Sequence, residues 1–186
     1  MLRIAAGEFK GLRLASPPGL RATEGKVRQA LFNIVGSFIE GARVLDGYAG
    51  GGALGLEALS RGAAFVAFVE SDTEAVLCLR ENLDRLGAQL PRSAWRLLHL
   101  EMDRALRQLQ QREPPFDLMI FDPPYRSEEA KKALNHVVDY AMLAPAGLVV
   151  VEHDRRTELA LSIGPLQQRT RHRYGDTVLS FYQSLG

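Results

Sequence analysis

The sequence predicts an α/β fold with a mostly parallel sheet, on three observations. From residue 41 onward, short apolar runs typical of strands alternate with amphipathic runs typical of helices. A glycine-rich stretch, Arg43–Ala63, joins the first of these strands to the next helix, and several strands are followed by a carboxylate. Such alternation builds right-handed βαβ units, so the carboxyl ends of the strands meet at one edge of the sheet.

The first 40 residues are expected to form an N-terminal hairpin and helix extension, ahead of a main domain at 41–186. Leu2–Ala6 and Leu12–Ala15 have strand character and predict a hairpin, which Pro17-Pro18-Gly19 ends. A helix is predicted from Thr23 to Gly41, because apolar residues recur there at steps of three and four. This stripe consists of Val27, Ala30, Leu31, Ile34, Val35 and Phe38.

In the main domain we expect seven strands, of which the last is antiparallel because Gly175-Asp176 forms a tight turn before it. The expected strands are Val44–Leu45, Ala64–Val69, Trp95–Leu100, Phe116–Phe121, Gly147–Val151, Leu166–Tyr174 and Thr177–Tyr182. Five helices are expected in the main domain. The first covers Ala53–Arg61, and the second runs from Ser71, which forms a capping box with Glu74, to Gly87. The third ends near Arg112, the fourth follows a Ser127 cap, and the fifth lies near Thr157–Ser162.

The loop after the first strand carries the glycines that let backbone approach a ligand closely. Gly50, Gly52 and Gly55 match the pattern G-x-G-x-x-G of dinucleotide-binding loops, with Glu70 twenty positions beyond the first glycine. The pattern alone is weak, and a loop that needs glycines only for its turn is the alternative.

Asp46 decides between the ligands that this loop could bind. A carboxylate stands at the strand end, before the glycines. A phosphate about 5 Å away would be repelled by roughly 3 kcal/mol at an effective dielectric constant near 20. A cationic ligand gains from the same charge, so the loop suits S-adenosylmethionine, which has a sulfonium, an ammonium and no phosphate.

Four carboxylates at or just after successive strand ends are expected to converge on one crevice. We expect Asp46 to hold the methionine ammonium, Glu70 to accept both ribose hydroxyls, and Asp103 to accept the adenine amino group with Met102 against the ring. The fourth, Asp122, is expected to face both cofactor and substrate. The remaining residues expected at the cofactor are Tyr48, Gly50, Gly52 and Ser71.

Asp122-Pro123-Pro124-Tyr125 follows the fourth strand and is the sharpest signal in the chain. An amine conjugated to a base ring is a poor nucleophile because its lone pair is delocalised. The Asp122 carboxylate and the Pro123 carbonyl can each accept one N–H and turn the lone pair toward a methyl donor. Tyr125 can stack on the base, and Pro124 is expected to contact it. A plain proline turn is the alternative.

The charge of the chain is unevenly divided. The formal net charge is +1, but residues 1–28 carry +4, residues 154–174 carry +3 and the remainder carries −6. Basic ends around an acidic centre suit an enzyme that binds nucleic acid and a cationic cofactor, and solvated surface charge explains them equally well. The residues expected to contact RNA are Lys10, Arg13, Lys26 and Arg28.

Other classes of protein are disfavoured by composition. The longest apolar runs are far too short for a membrane span, and the N-terminus lacks the apolar segment of a secretory signal, which predicts a cytoplasmic protein. The four histidines show no metal-ligand spacing with the single cysteine, Cys78, which we expect to be a small core residue. We therefore expect no metal and no membrane contact, and a monomer.

The sequence resembles the bacterial methyltransferases that modify guanine N2 in 16S ribosomal RNA of the small subunit. The resemblance implies a Rossmann-like class I fold, S-adenosylmethionine as the methyl donor, and a substrate within the assembled or assembling subunit. It covers nearly the whole chain and is carried by Gly7–Leu14, Val27–Asn33, Leu45–Ala63, Val69–Asp72, Phe121–Tyr125 and Tyr174–Tyr182.

The chain departs from this family at two places. Ala22, Glu24 and Gly25 stand where Pro, Thr and Asp are usual before the first helix. In the cofactor loop, Gly47-Tyr48 replaces Leu-Phe and Gly51 replaces Ser or Thr. The first set puts contacts of that segment in doubt, whereas the second predicts a looser loop that keeps its carboxylate.

Three other functions remain as alternatives. An adenine-N6 DNA or other nucleic-acid amino-methyltransferase could use the same Asp-Pro-Pro-Tyr segment, although 186 residues leave little room for a target-recognition region. A non-enzymatic RNA-binding assembly protein would not need four acids at strand ends. A dinucleotide oxidoreductase is disfavoured by Asp46.

Overall fold

One sheet of eight strands runs through the residues that this computed structural model describes, 2–17, 25–125 and 128–184. The strands are β1 Arg43–Gly47, β2 Phe65–Glu70, β3 Trp95–His99, β4 Phe116–Phe121, β5 Leu143–Asp154, β6 Ser162–Ile163, β7 Leu166–Tyr174 and β8 Thr177–Ser184. The α-helices are α1 Gly25–Val35, α2 Ala53–Ser60, α3 Thr73–Leu86, α4 Met102–Gln110 and α5 Glu129–Tyr140. Within these residues, no helix is long and apolar enough to cross a membrane.

The strand order is β3-β2-β1-β4-β5-β8-β7-β6. The first five strands in this order are parallel to one another, and β8 runs antiparallel between β5 and β7. This confirms the predicted mostly parallel sheet with an antiparallel last strand. The order reverses between β1 and β4, and a ligand crevice forms at such a switch point, outside the carboxyl ends of the strands.

The strands are apolar on both faces because helices cover both faces of the sheet. Along β4, Leu118 and Ile120 pack in a core shared with α1, α2 and α3. Met119 and Phe121 point the other way, into a core shared with α4 and α5. The continuous apolar run of β4 is therefore a strand with two buried faces.

The prediction of a helix near Thr157–Ser162 is wrong. Asp154 instead makes a turn, in which its carboxylate accepts the Arg156 N–H and its carbonyl accepts the Thr157 N–H. The two-residue strand β6 follows and pairs with the start of β7, which makes eight strands rather than seven.

Two helix starts differ from the predicted caps. Asp72, not Ser71, caps α3, because its carboxylate accepts the N–H of Ala75 at 2.8 Å. Ser127, the predicted cap of the fifth helix, lies outside the described residues, as do Pro18-Gly19 and Thr23.

The N-terminal segment forms a hairpin-like turn rather than two full strands. Arg3 and Arg13 make an isolated antiparallel bridge, and the Ile4 N–H donates to the Leu12 carbonyl at 3.0 Å. Ile4 and Phe9 of this segment pack in the same core as α1, α2 and α3.

Buried polar contacts hold this segment against α2. Glu57, fully buried, accepts the N–H groups of Ala5 and Ala6 and pairs with Arg61 at 2.8 Å and with Arg28 at 3.7 Å. One carboxylate therefore joins α1, α2 and the N-terminal segment.

Helix α1 buries part of the predicted stripe. Val27, Leu31 and Val35 are buried as expected, whereas Ile34 is 39% exposed and Phe38, in the 3-10 turn Gly36–Ile39 that follows α1, is 41% exposed. Phe32 and Arg28 are buried as well, and Arg28 faces Glu57 of α2.

We expect Glu57→Gln to destabilise the fold by about 3–5 kcal/mol, because it leaves the Arg28 charge buried without its carboxylate. Urea unfolding measures the change. Glu81→Gln is the matched control, since Glu81 also pairs with an arginine four residues on, but at the surface. Glu81→Gln should lower the free energy of unfolding by only about 0.3–0.5 kcal/mol. Equal decreases in the two variants would contradict the role of Glu57.

Candidate active site

A cavity of about 670 Å³ opens at the carboxyl ends of β1, β2, β4 and β5. Its volume lies within the range of small-molecule sites. Carboxylates dominate its polar lining, and among the described residues no group of three or more His, Cys, Asp or Glu side chains could hold a metal ion. Its lining includes Tyr48, Gly50, Glu70, Ser71, Glu101, Asp122, Pro123, Pro124, Tyr125, Glu129, Glu152 and Thr177.

Asp46 lies behind the cavity wall rather than on its surface. The side chain is 1% exposed, and its Oδ2 accepts the N–H of Gly55 at 2.8 Å. Oδ1 is buried and has no hydrogen-bond partner in the part of the chain that the structure describes. Burial raises the pKa of Asp46 to about 8; the Gly55 N–H opposes this, and the charges of Asp122 and Glu70 add to it.

The glycine loop and the first turn of α2 pack closely around this carboxyl. A Cβ on Gly55 would lie 2.2 Å from the Phe68 ring and 2.9 Å from Asp46 Oδ2, so no other residue fits there. Gly50 and Gly52 have φ angles of +54° and +83°, which glycine adopts at little cost.

Tyr48 also has a positive φ, of 63°, and its hydroxyl donates to Glu129 Oε2 at 3.0 Å. Burial raises the pKa of Tyr48 above its ordinary value, and the contact with Glu129 raises it further. The hydroxyl therefore stays protonated and ties the loop to α5.

Glu70 is held rigidly at the end of β2. Oε2 accepts the Gly50 N–H at 2.7 Å, and Oε1 accepts the N–H groups of Ser71 and Asp72, each at 2.8 Å. A carboxylate has about four acceptor positions, so one remains, on Oε2. Glu70 and the exposed Ser71 line the cavity, as the sequence predicts.

Asp103 does not reach the cavity. Its carboxylate accepts the Tyr140 hydroxyl at 2.6 Å and a bond from Arg107, on the far side of α4. Helix α4 begins at Met102, so the helical turn carries Asp103 away from the strand end. The cavity position next to the helix is taken by Glu101.

Met102 is also displaced from its predicted position. It is buried at 5% exposure, and a Cβ on Gly47 would lie 2.8 Å from its Cε. Met102 therefore packs beneath β1, in the core shared with α4 and α5, rather than on the surface of the cavity.

The Asp122–Tyr125 segment forms the opposite wall. The Asp122 N–H donates to the Gly47 carbonyl at 3.3 Å, which fixes the segment beside the glycine loop. Asp122, Pro123, Pro124 and Tyr125 all line the cavity, as expected.

Tyr125 contacts two residues that the sequence interpretation missed. Its hydroxyl donates to Glu152 Oε1 at 2.9 Å and lies 2.6 Å from Thr177 Oγ1. Burial raises the pKa of Tyr125, opposed by the Thr177 contact and assisted by the Glu152 charge. Glu152 ends the apolar part of the fifth strand, so the strand-end rule could have found it, whereas Thr177 on antiparallel β8 gave no such signal.

The basic residues expected to contact RNA do not share one environment. Lys10, Arg13 and Lys26 are exposed. Arg28 is 4% exposed and donates to the Arg3 carbonyl at 2.6 Å, besides its pairing with Glu57. The prediction that Arg28 grips phosphate is therefore wrong, because its charge is used inside the fold.

The sheet order, with antiparallel β8 beside β5 and an acidic cavity at the switch point, defines a Rossmann-like fold of the class I methyltransferase type. The chain belongs to the family described as Conserved hypothetical protein 95, whose model matches residues 2–183.

Two relatives cover most of the chain. "Putative rRNA methyltransferase YlbH" of Bacillus subtilis (strain 168) is 36% identical over 187 residues, which span 100% of both chains. "Ribosomal RNA small subunit methyltransferase D" of Escherichia coli (strain K12) is 37% identical over 155 residues, 82% of this chain and 75% of the relative.

Two solved structures share the fold. "Putative methyltransferase yhhF from Escherichia coli" superposes with a TM-score of 0.84 at 31% identity, covering 98% of this chain and 97% of the other. The Thermus thermophilus 16S rRNA N2 methyltransferase RsmC, in complex with AdoMet and guanosine, gives a TM-score of 0.69 at 26% identity. That match covers 90% of this chain and 44% of RsmC.

We expect Asp46→Asn to stabilise the free protein increasingly as the pH rises. Because the native pKa of Asp46 is raised, stability from this group is complete below about pH 4 and is lost as the pH rises through about 8. The difference in unfolding free energy between variant and wild type should grow by about 1.4 kcal/mol per pH unit between pH 5 and 8. Urea unfolding across this range measures it. A flat difference for Asp46→Asn would contradict the raised pKa.

Proposed function

We propose that this protein transfers a methyl group from S-adenosylmethionine to the exocyclic N2 amine of a guanine in 16S ribosomal RNA of the small subunit. The observation that carries the proposal is that two segments form opposite walls of the same cavity. A glycine loop backed by Asp46 faces the Asp122–Tyr125 segment across it. The name of the Escherichia coli relative and the guanosine complex of RsmC support the same chemistry.

The residues of the cavity fit S-adenosylmethionine. Buried Asp46 has an oxygen, Oδ1, without a hydrogen-bond partner among the described residues, and a cationic cofactor would favour the ionised form of this carboxyl, directly or through water. Three backbone N–H groups fix Glu70 and leave one acceptor position on Oε2, and we propose that this oxygen accepts a ribose hydroxyl. Glu101, rather than Asp103, is placed to meet the adenine end of the cofactor.

The cofactor supplies an activated methyl group on a sulfonium, so the chain has to position the amine rather than activate a leaving group. The Asp122 carboxylate and the Pro123 carbonyl can each accept one N–H of the target amine, which directs its lone pair at the methyl carbon. Proline adds an acceptor without a competing donor. Such in-line positioning can lower the barrier by about 7–11 kcal/mol.

Proton transfer completes the reaction. The nitrogen–carbon bond forms as the sulfur–carbon bond breaks, and the amine then loses one proton. Asp122 is placed to hold this proton after methyl transfer, so it acts as an orienting acceptor more than as a strong base. The ring of Tyr125, whose hydroxyl is fixed by Glu152 and Thr177, is placed to stack on the base that enters the cavity.

The N-terminal extension combines exposed cations with residues that line the cavity. Lys10, Arg13 and Lys26 are exposed there, and Ser16 and Pro17 of the same extension line the cavity. We propose that these cations contact phosphates of the small subunit or of its assembly intermediate while a base is extruded into the cavity.

The decisive experiment is nucleoside mass spectrometry of ribosomal RNA from cells with and without the gene. Loss of one N2-methylguanosine from 16S RNA, restored by the wild-type gene, is the expected result. Loss of a methyladenosine, or no change, would refute the proposed substrate.

We expect Asp122→Ala to lower the methylation rate about a hundredfold or more while leaving the dissociation constant of S-adenosylmethionine nearly unchanged, because Asp122 orients the amine. Single-turnover methylation and calorimetry measure the two quantities. Asp46→Asn is the contrasting variant, since it should weaken cofactor binding. Equal losses of rate and binding in Asp122→Ala would assign Asp122 to the cofactor instead.

We expect the double variant Lys10→Ala/Arg13→Ala to flatten the salt dependence of small-subunit binding. Each phosphate contact contributes about −0.7 to −0.9 to the log–log slope, so the slope should become shallower by about one to two units. Arg104→Ala/Arg107→Ala removes the same charge from exposed positions of α4, across the sheet, and should leave the slope unchanged. An unchanged slope in the Lys10→Ala/Arg13→Ala variant would indicate that these two residues are solvated surface charges that do not contact RNA.

A further inference from the structure

Glu152 lies beside the methyl-transfer site but has no part in the chemistry described above. Val151 of β5 is the register partner of Phe121 of β4, and Glu152 and Asp122 are the next residue of each strand segment. Neighbouring strands are about 5 Å apart, so two carboxylates stand side by side where the base enters. Both line the cavity.

The edge of guanine suits such a pair. Next to its N2 amine, guanine carries an N1–H, so this edge presents adjacent hydrogen-bond donors. Next to its N6 amine, adenine carries an unprotonated N1, which is an acceptor. An ionised carboxylate only accepts, so it binds the guanine edge and repels the corresponding adenine edge.

Burial and the contact with Tyr125 hold the Glu152 side chain in place beside the cavity. The residue is 3% exposed, its Oε1 accepts the Tyr125 hydroxyl at 2.9 Å, and Thr177 Oγ1 lies 2.6 Å from that hydroxyl. A carboxylate offers about four acceptor positions, and the Tyr125 hydroxyl occupies one of them. Low exposure strengthens any bond made there and makes a mismatched partner costly.

We infer that Glu152 is a specificity-determining residue that accepts the N1–H of the target guanine while Asp122 and Pro123 accept its N2 amine. This inference rests on the proposed function and deepens it, because it explains how a segment suited to any base amine selects guanine. The bond between Tyr125 and Glu152 then joins the stacking residue to the residue that reads the base.

The test compares guanine with 2-aminopurine, which keeps the 2-amine but has an acceptor at N1. Small subunits are reconstituted with ligated 16S RNA that carries either base at the position identified by nucleoside mapping. The wild-type chain should methylate guanine at least about tenfold faster than 2-aminopurine. Glu152→Gln, whose amide can donate to N1, should reduce this ratio at least about tenfold.

A control separates base reading from support of the site. Thr177→Val removes the other hydroxyl beside Tyr125 and should change both rates by one factor, leaving the ratio intact. Calorimetry with S-adenosylmethionine establishes that each variant retains a folded cofactor site. If Glu152→Gln does not fold, the wild-type ratio still tests the inference, because equal rates on the two bases would overturn it.

The experiment distinguishes failure of the inference about Glu152 from failure of the proposed function. Methylation of guanine by the wild-type chain with a ratio that Glu152→Gln leaves unchanged would overturn the role of Glu152 and leave the proposed function intact. No methyl transfer to either base by the wild-type chain would overturn the proposed function and this inference with it.

Discussion

The burial of the Asp46 carboxylate is the constraint on which the site depends. The side chain stands near the end of β1, the central parallel strand, and the one hydrogen bond that the structure gives it among the described residues comes from the Gly55 N–H. Packing the first turn of α2 this tightly over the carboxyl requires glycine at position 55, because a side chain would meet Phe68. Burial raises the pKa of Asp46 to about 8, so the fold keeps an acid whose ionisation is costly in the free protein and would be favoured by a cationic ligand.

A second buried carboxylate makes the N-terminal extension part of the same structure. Glu57 lies on α2, the helix that begins directly after the glycine loop, and it holds Ala5, Ala6 and Arg28. The same segment is fixed to the loop by Asn82, whose side chain bonds to Ala15 and to the Gly51 carbonyl. A segment proposed to contact RNA is therefore connected rigidly to the segment proposed to bind cofactor.

The two sides of the cavity use negative charge for different purposes. On the β1 and β2 side, Asp46 and Glu70 face the proposed cationic, hydroxyl-rich cofactor. On the β4 and β5 side, Asp122 and Glu152 face the donor-rich edge of the proposed base. Backbone N–H groups and the Tyr125 hydroxyl bind individual oxygens of these acids, and the raised pKa of Asp46 keeps that carboxyl mostly protonated in the free protein near neutral pH. The arrangement explains why an acidic centre sits between basic ends.

The sequence by itself determined the parallel sheet, the glycine loop and the position of Asp46, Glu70 and Asp122 at strand ends. These follow from local patterns, because apolar runs, glycines and strand-end acids are set by neighbouring residues along the chain. Only the tertiary structure decided the fate of Asp103 and Arg28. Their environments depend on where a helix begins and on which distant carboxylate an arginine meets, and neither is a property of the residues next to them in sequence.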